Sequence, residues 1–280
     1  MQLSFRMPRF QLIAGHSIQS VILSLLTTAL IITLAFIPMS ASADTLTIDS
    51  AINKAGMQRM LSQRITKSYL LIGQDTAADK AQTQLDTSVA LFEESLGELE
   101  RFSPTAEITQ SLQDIRSEWN TFRQTAISKP EQSQALSVIE DSSRLLELCE
   151  KNVQLFEAYS GKEKGELINI SGRQRMLSQR IGMLYIAKSW QVSNEQLDKT
   201  FAQALNDFDQ ALNLLLQSPL NSDEINQALN EVKAQWEFSR SGFELGESDR
   251  YVPFLIQVTT ESILKKMDRI TSLYVAVDPS

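Results

Sequence analysis

The sequence predicts an all-α protein built as two tandem antiparallel four-helix bundles, stacked end to end. Three observations carry that expectation. Leu, Ala, Gln, Glu, Ser and Lys dominate the 280 residues, which favours helix on propensity, while the alternating Val-, Ile- and aromatic-rich runs of strands are missing. Apolar residues recur three and four apart, as in Leu85, Val89, Phe92 and Leu96 or Leu205, Phe208, Leu212 and Leu215. And one stretch is written twice: "INKAGMQRMLSQRI" at 52–65 returns as "INISGRQRMLSQRI" at 168–181, with 11 of 14 positions identical.

The first 43 residues stand outside this pattern. Arg6 and Arg9 give a positive start, an apolar run extends from Val21 to Ile37, and Ala41-Ser42-Ala43 forms a small-x-small cleavage site. The segment 1–43 reads as a secretory signal peptide. Left uncleaved, its apolar run is just long enough to serve as an N-terminal anchor. Either way the remainder is expected in the periplasm, and no second run of spanning length follows it.

Residues 44–160 are expected to form the first bundle and 161–280 the second. In the first, helices are read near 48–73, 76–102, 105–127 and 131–159. In the second they fall near 163–191, 194–217, 222–243 and 250–275. Pro104, Pro130, Pro219 and Pro253 sit at boundaries or in first turns, where a missing N–H costs little. Ser193 with Gln196 reads as a capping box. Leu85 and Phe92 align with Phe201 and Phe208, Trp119 with Trp236, and Ile139 and Leu146 with Ile256 and Ile263, so the repeat runs through nearly the whole chain after the leader. At the junction, Ser160 and Glu163 are able to cap a fresh helix, with Gly161 and Gly165 loosening the segment. Alternatively the fourth helix runs straight into the fifth, which is the basis for end-to-end stacking.

Composition excludes several functions. The single histidine, His16, lies in the leader, so the remaining chain lacks the usual general base and the commonest metal ligand. The single cysteine, Cys149, has no partner for an internal disulfide and shares an apolar helical spacing with Leu145 and Phe156, which points to burial. The formal net charge is −8, and losing Arg6 and Arg9 makes the remainder more acidic still, which argues against nucleic acid. No Gly-rich phosphate loop, paired-cysteine metal site or nucleophile elbow occurs. No catalytic residue, metal or cofactor is expected, and the chain is read as a non-enzyme.

The repeated stretch carries the functional signal. On a helix at 100° per residue, Met57, Met60, Leu61 and Leu71 share one face with Arg64 and form the core stripe. A second stripe runs through Ile52, Ala55 and Gly56, Arg59, Gln63, Thr66 and Leu70. In the second copy it reads Ile168, Ser171 and Gly172, Arg175, Gln179, Gly182 and Ile186. A seam of small residues lets another backbone come close, and a helical glycine is less stable than alanine by about 1 kcal/mol. Two such helices packed together bring two guanidiniums into one desolvated interface. An anion between them relieves the repulsion, and the guanidinium fork suits a planar oxyanion. Ser62 and Gln63, with Ser178 and Gln179 in the second copy, supply further donors. Arg64 and Arg180, on the core side, are expected to pair with carboxylates of neighbouring helices, while Trp119 and Trp236 anchor the cores.

The motif "IN-x-(A/S)-G-x-QRMLSQRI" resembles the signature of the type IV pilus methyl-accepting transducer N-terminal (PilJ-type) domain. That domain is similar to the periplasmic sensor of nitrate/nitrite-responsive histidine kinases. The resemblance implies a helical sensor outside the inner membrane, in which Arg59 and Arg175 bind a small anion, nitrate or nitrite first, across a dimer seam beside Gly56 and Gly172. A membrane receptor or sensor kinase is the implied partner, and a homodimer through the first-helix seam is one way to complete the site. The alternative is an interaction protein that docks to a receptor or pilus component with no small ligand.

Overall fold

A computed structural model describes residues 46–243 and 251–277, so the leader read at 1–43 lies outside the described residues. The described chain holds eight helices: α1 (Ile48–Gly73), α2 (Ala78–Phe102), α3 (Ala106–Ala126), α4 (Gln132–Ser160), α5 (Glu163–Ser189), α6 (Glu195–Leu216), α7 (Asp223–Phe243) and α8 (Pro253–Ala276). None of them is long and apolar enough to cross a membrane.

Local chemistry sets the ends. Thr47 accepts a hydrogen bond from the Ser50 N–H at 3.2 Å and starts α1; Thr105 does the same for α3 through Ile108, at 3.2 Å. At α6 the cap is Asn194, which accepts from Leu197 N–H at 2.8 Å, so the start lies one residue beyond the Ser193 box read from sequence. Pro253 sits in the first turn of α8. α4 ends at Gly161, whose φ of 60° is left-handed and favours glycine.

α1 packs against α2 and α4, and α3 against α4; α5, α6, α7 and α8 repeat the arrangement. The aromatic anchors are duplicated with it. Phe92 stacks on Trp119 at 4.0 Å between centroids, and Phe208 packs on Trp236 at 4.1 Å. Each indole N–H donates to a carboxylate one residue past the phenylalanine, Glu93 or Asp209. Tyr69 and Tyr185 each accept a backbone N–H at the loop before the last helix of their repeat, from Glu131 and Val252 at 3.0 and 3.1 Å.

The bundles do not stack end to end. α1 and α5 form the most extensively packed helix pair of the molecule, side by side and parallel. Gly56 faces Gly172, Lys67 reaches Gln179, and Gln74 donates to the Ile186 carbonyl at 2.9 Å, all in ascending order along both helices. The left-handed turn at Gly161 reverses the chain after α4, so no continuous helix joins the repeats. Lateral pairing buries the two small-residue seams against each other, which end-to-end stacking would leave bare. From Leu46 onward the described residues form one compact unit.

The last helices also shift by one residue from the sequence alignment. Gln63 donates to the Ser142 carbonyl and Gln179 to the Thr260 carbonyl, at 3.3 and 3.2 Å. Val138 thus corresponds to Ile256, and Leu145 to Ile263, in place of Ile139 and Leu146. The helix-facing hydrogen bonds, not the best local match of apolar letters, fix the register.

Candidate functional site

The site lies where α1 and α5 cross closest. A Cβ added at Gly56 would stand 3.3 Å from Arg59 Nη2 and 3.5 Å from Arg175 Nη2. One added at Gly172 would stand 3.3 Å from Arg175 Nη2 and 3.4 Å from Arg59 Nη2. Both guanidiniums therefore converge on one small volume that exists because both helices carry glycine there. Arg59 and Arg175 are 0% and 1% exposed, among the largest fully buried side chains of the protein.

Their partners follow the internal dyad. Arg59 Nη1 donates to Glu150 on α4 at 2.6 Å, and Arg175 Nη1 to Asp268 on α8 at 2.7 Å. Each Nη2 crosses to the other repeat, Arg59 to the Asn169 carbonyl and Arg175 to the Asn53 carbonyl, both at 3.2 Å. Arg175 also reaches Asn53 Oδ1 at 2.7 Å. The Nε of each arginine is buried without a partner, an uncommon state for a charged donor. Burial pushes the Arg175 guanidinium down, Asp268 opposes it, and the like charge of Arg59 adds to the fall. Burial also works to raise the Glu150 carboxyl, but the Arg59 charge and hydrogen bond outweigh it and hold Glu150 below the usual carboxylate range.

The remaining residues of the motif face elsewhere. Ser62 and Ser178 donate to the carbonyls of Arg59 and Arg175, at 2.9 and 2.7 Å. Gln63 and Gln179 donate to these serines and to the last helices, at 3.1 to 3.3 Å. Their carbonyl oxygens accept cations from the opposite repeat, Gln63 from Arg180 at 3.3 Å and Gln179 from Lys67 at 2.6 Å. The structure thus brings together Arg59, Arg175, Gly56 and Gly172, and places the serines and glutamines one turn away as a brace.

Sequence reasoning missed the carboxylates Glu150 and Asp268, the asparagines Asn53 and Asn169, and a cluster beyond the brace. There Glu261 of α8 accepts from Arg64 Nε and Nη2, at 3.2 and 2.6 Å, and from Lys67 Nζ at 2.8 Å. Burial opposes ionisation of Glu261, yet Lys67 and Arg64 hold its carboxyl down to about 2. Burial pushes the Lys67 ammonium down while Glu261 pushes back; Gln179 Oε1, Thr260 Oγ1 and Glu261 Oε1 surround Nζ at 2.6, 3.4 and 2.8 Å. Gly182 makes room for this side chain, since a Cβ there would stand 3.2 Å from Lys67 Cδ. The hint in sequence was a lysine on an otherwise buried helix.

A family model, the N-terminal domain of type IV pili methyl-accepting chemotaxis transducers (PilJ), matches residues 46–144 and again residues 160–247. The chain belongs to this family. No curated protein and no solved structure matches it. Each PilJ segment opens just ahead of α1 or α5, so each contributes one helix, one glycine and one arginine to the seam. The family describes transducers rather than enzymes. The described PilJ helices hold no group of three or more His, Cys, Asp or Glu residues arranged for a metal ion.

Proposed function

We propose that this protein is a periplasmic sensor-type module that binds a small oxyanion, nitrate or nitrite first, between Arg59 and Arg175. The observation that carries this reading is the convergence of two fully buried guanidiniums, one from each PilJ segment, on the same glycine-lined volume with both Nε atoms unpartnered. A planar anion supplies acceptors to those donors and screens the repulsion between the two charges. The guanidiniums already fill the space above the glycines, so anion entry requires α1 and α5 to adjust against each other. Binding and helix packing are thereby linked, which is what a sensor needs. A membrane receptor or sensor kinase reads the adjusted surface.

Calorimetric titration of the full chain with nitrate and nitrite, with chloride and sulfate as controls, tests this. The expected result is saturable heat that Arg59→Gln and Arg175→Gln each reduce and the double variant abolishes, with helicity by circular dichroism retained. Unchanged affinity in the double variant refutes the assignment. The alternative, docking to a receptor or pilus component without a small ligand, draws on apolar side chains left exposed on α7 and α8: Phe238, Phe254 and Leu255. Under it, Phe254→Ser abolishes capture and added anions change nothing.

A further inference from the structure

The internal dyad equates two grooves flanking the α1–α5 pair, and they end differently. On one side, between α1, α2 and α8, Arg64 is met by Glu261, and Gln84 by Gln257 at 3.2 Å. On the other, between α5, α6 and α4, every counterpart is shorter or apolar. Ser143 stands for Glu261, Met183 for Lys67, Thr200 for Gln84 and Ile139 for Gln257. What remains there is a cleft of about 700 Å³, large enough for a small-molecule ligand.

Arg180, the counterpart of Arg64, lines that cleft. Among the described residues it has no ion pair, and its hydrogen bond is the 3.3 Å contact to Gln63. Glu147 and Asp207 are the carboxylates whose charge it feels, and Asp207 is already taken by Arg173 at 3.0 Å. Glu150, also on the wall, is held by Arg59. The charges left without close partners are thus the cations Arg180 and Lys151 against Glu147, a surplus that favours an anion. Ser143 Oγ, in Glu261's place, is turned onto the Ile139 carbonyl at 2.9 Å and does not serve the guanidinium.

We propose that the cleft between α4, α5 and α6 binds a small carboxylic acid, with its carboxylate on the Arg180 guanidinium. The molecule itself shows which chemistry satisfies an arginine at this position, because Arg64 takes the Glu261 carboxylate through two nitrogens in the mate groove. A second acidic group finds Lys151 on the same wall, and Leu146, Met176 and Leu177 cover the apolar part of the ligand. Since Glu150 belongs both to this wall and to Arg59, an occupant here adjoins the seam without sharing it.

The test uses the full chain with succinate, citrate and benzoate as probes, followed by calorimetry and thermal unfolding. Saturable heat from at least one acid is expected, weakened about tenfold or more by Arg180→Met and lost in Ser143→Glu, which supplies the missing carboxylate internally. Ser143→Glu should also raise the unfolding midpoint, and should no longer do so in the Arg180→Met background. Absence of heat with all three acids, equal affinity in Arg180→Met, or a Ser143→Glu effect indifferent to Arg180 overturns the proposal. Nitrate titrations of the same variants report on the seam separately, so failure of one site is distinguishable from failure of the other.

Discussion

On one flank of the central helix pair Arg64 and Lys67 share the Glu261 carboxylate; on the other the counterpart Arg180 faces an open cleft, with Ser143 turned away from it. The two flanks are built from equivalent helices, α1, α2 and α8 against α5, α6 and α4, and the two repeats carry matching tryptophan and tyrosine anchors. The difference shows that the duplicated backbone is carried by the apolar and aromatic positions the repeats share, while a handful of polar positions decide whether a groove is welded or left open. Closing one flank fixes α8 to α1, across the repeat boundary.

The strongest way to break this comparison is to remove the weld. Glu261→Ala leaves two cations, one fully buried, without their counter-charge, and a buried pair broken on one side loses about 3–5 kcal/mol. Urea unfolding of this variant should show that loss, whereas Ser143→Ala on the open flank should stay within about 0.5 kcal/mol of the parent. Acid asks the same question without mutation. The Glu261 carboxyl is depressed to about 2, so its stabilisation is fully present above the ordinary carboxylate range and is lost as pH falls from about 4 toward 2. A pH series of unfolding midpoints should show this decline in the parent and a shallower one in Glu261→Gln.

A milder substitution copies the open flank's residue into the closed one. Lys67→Met removes the buried ammonium but leaves Glu261 paired with Arg64, and methionine follows the path that the lysine stem takes beside Gly182. The Gln179 carbonyl oxygen loses its cation, so the expected loss is about 1–2 kcal/mol by chemical denaturation. A loss as large as that of Glu261→Ala would mean that Lys67, not Arg64, is the principal partner of the carboxylate.

How much of this was legible in sequence depended on distance along the chain. α1 falls where propensity and periodicity placed it, because its ends are local matters of Thr47 and the loop after Gly73. The convergence of Arg59, Arg175, Gly56 and Gly172 was legible because the repeat wrote it twice. Their partners were not. Glu150, Asp268 and Glu261 lie 91, 93 and 197 residues from the arginines they hold, on helices where many carboxylates look alike until the register is known. The apolar letters of α4 and α8 aligned best one residue out of step, which hid Ser143 behind Arg144 as the counterpart of Glu261. Side-by-side pairing was hidden for a different reason. A small-residue seam fits a sister repeat as well as a second chain, and the segment around Gly161 was compatible with a turn or a continuous helix.

The smallest effect, that of replacing two glutamines together, separates ionic from amide closure of the same flank. Gln84 and Gln257 meet at 3.2 Å, and Gln257 is fully buried with its own carbonyl oxygen unpartnered. Gln84→Leu alone strands the Gln257 amide and should lose about 1–3 kcal/mol, whereas replacing both glutamines by leucine removes both polar groups and should be nearly neutral. A double-mutant cycle by urea unfolding measures the coupling. A near-neutral double variant means the amide pair merely tolerates a closure that Glu261 imposes. A double variant as damaged as the single one means the amides themselves hold α8 to α2, and Ser143→Glu by itself would then be too little to close the open flank.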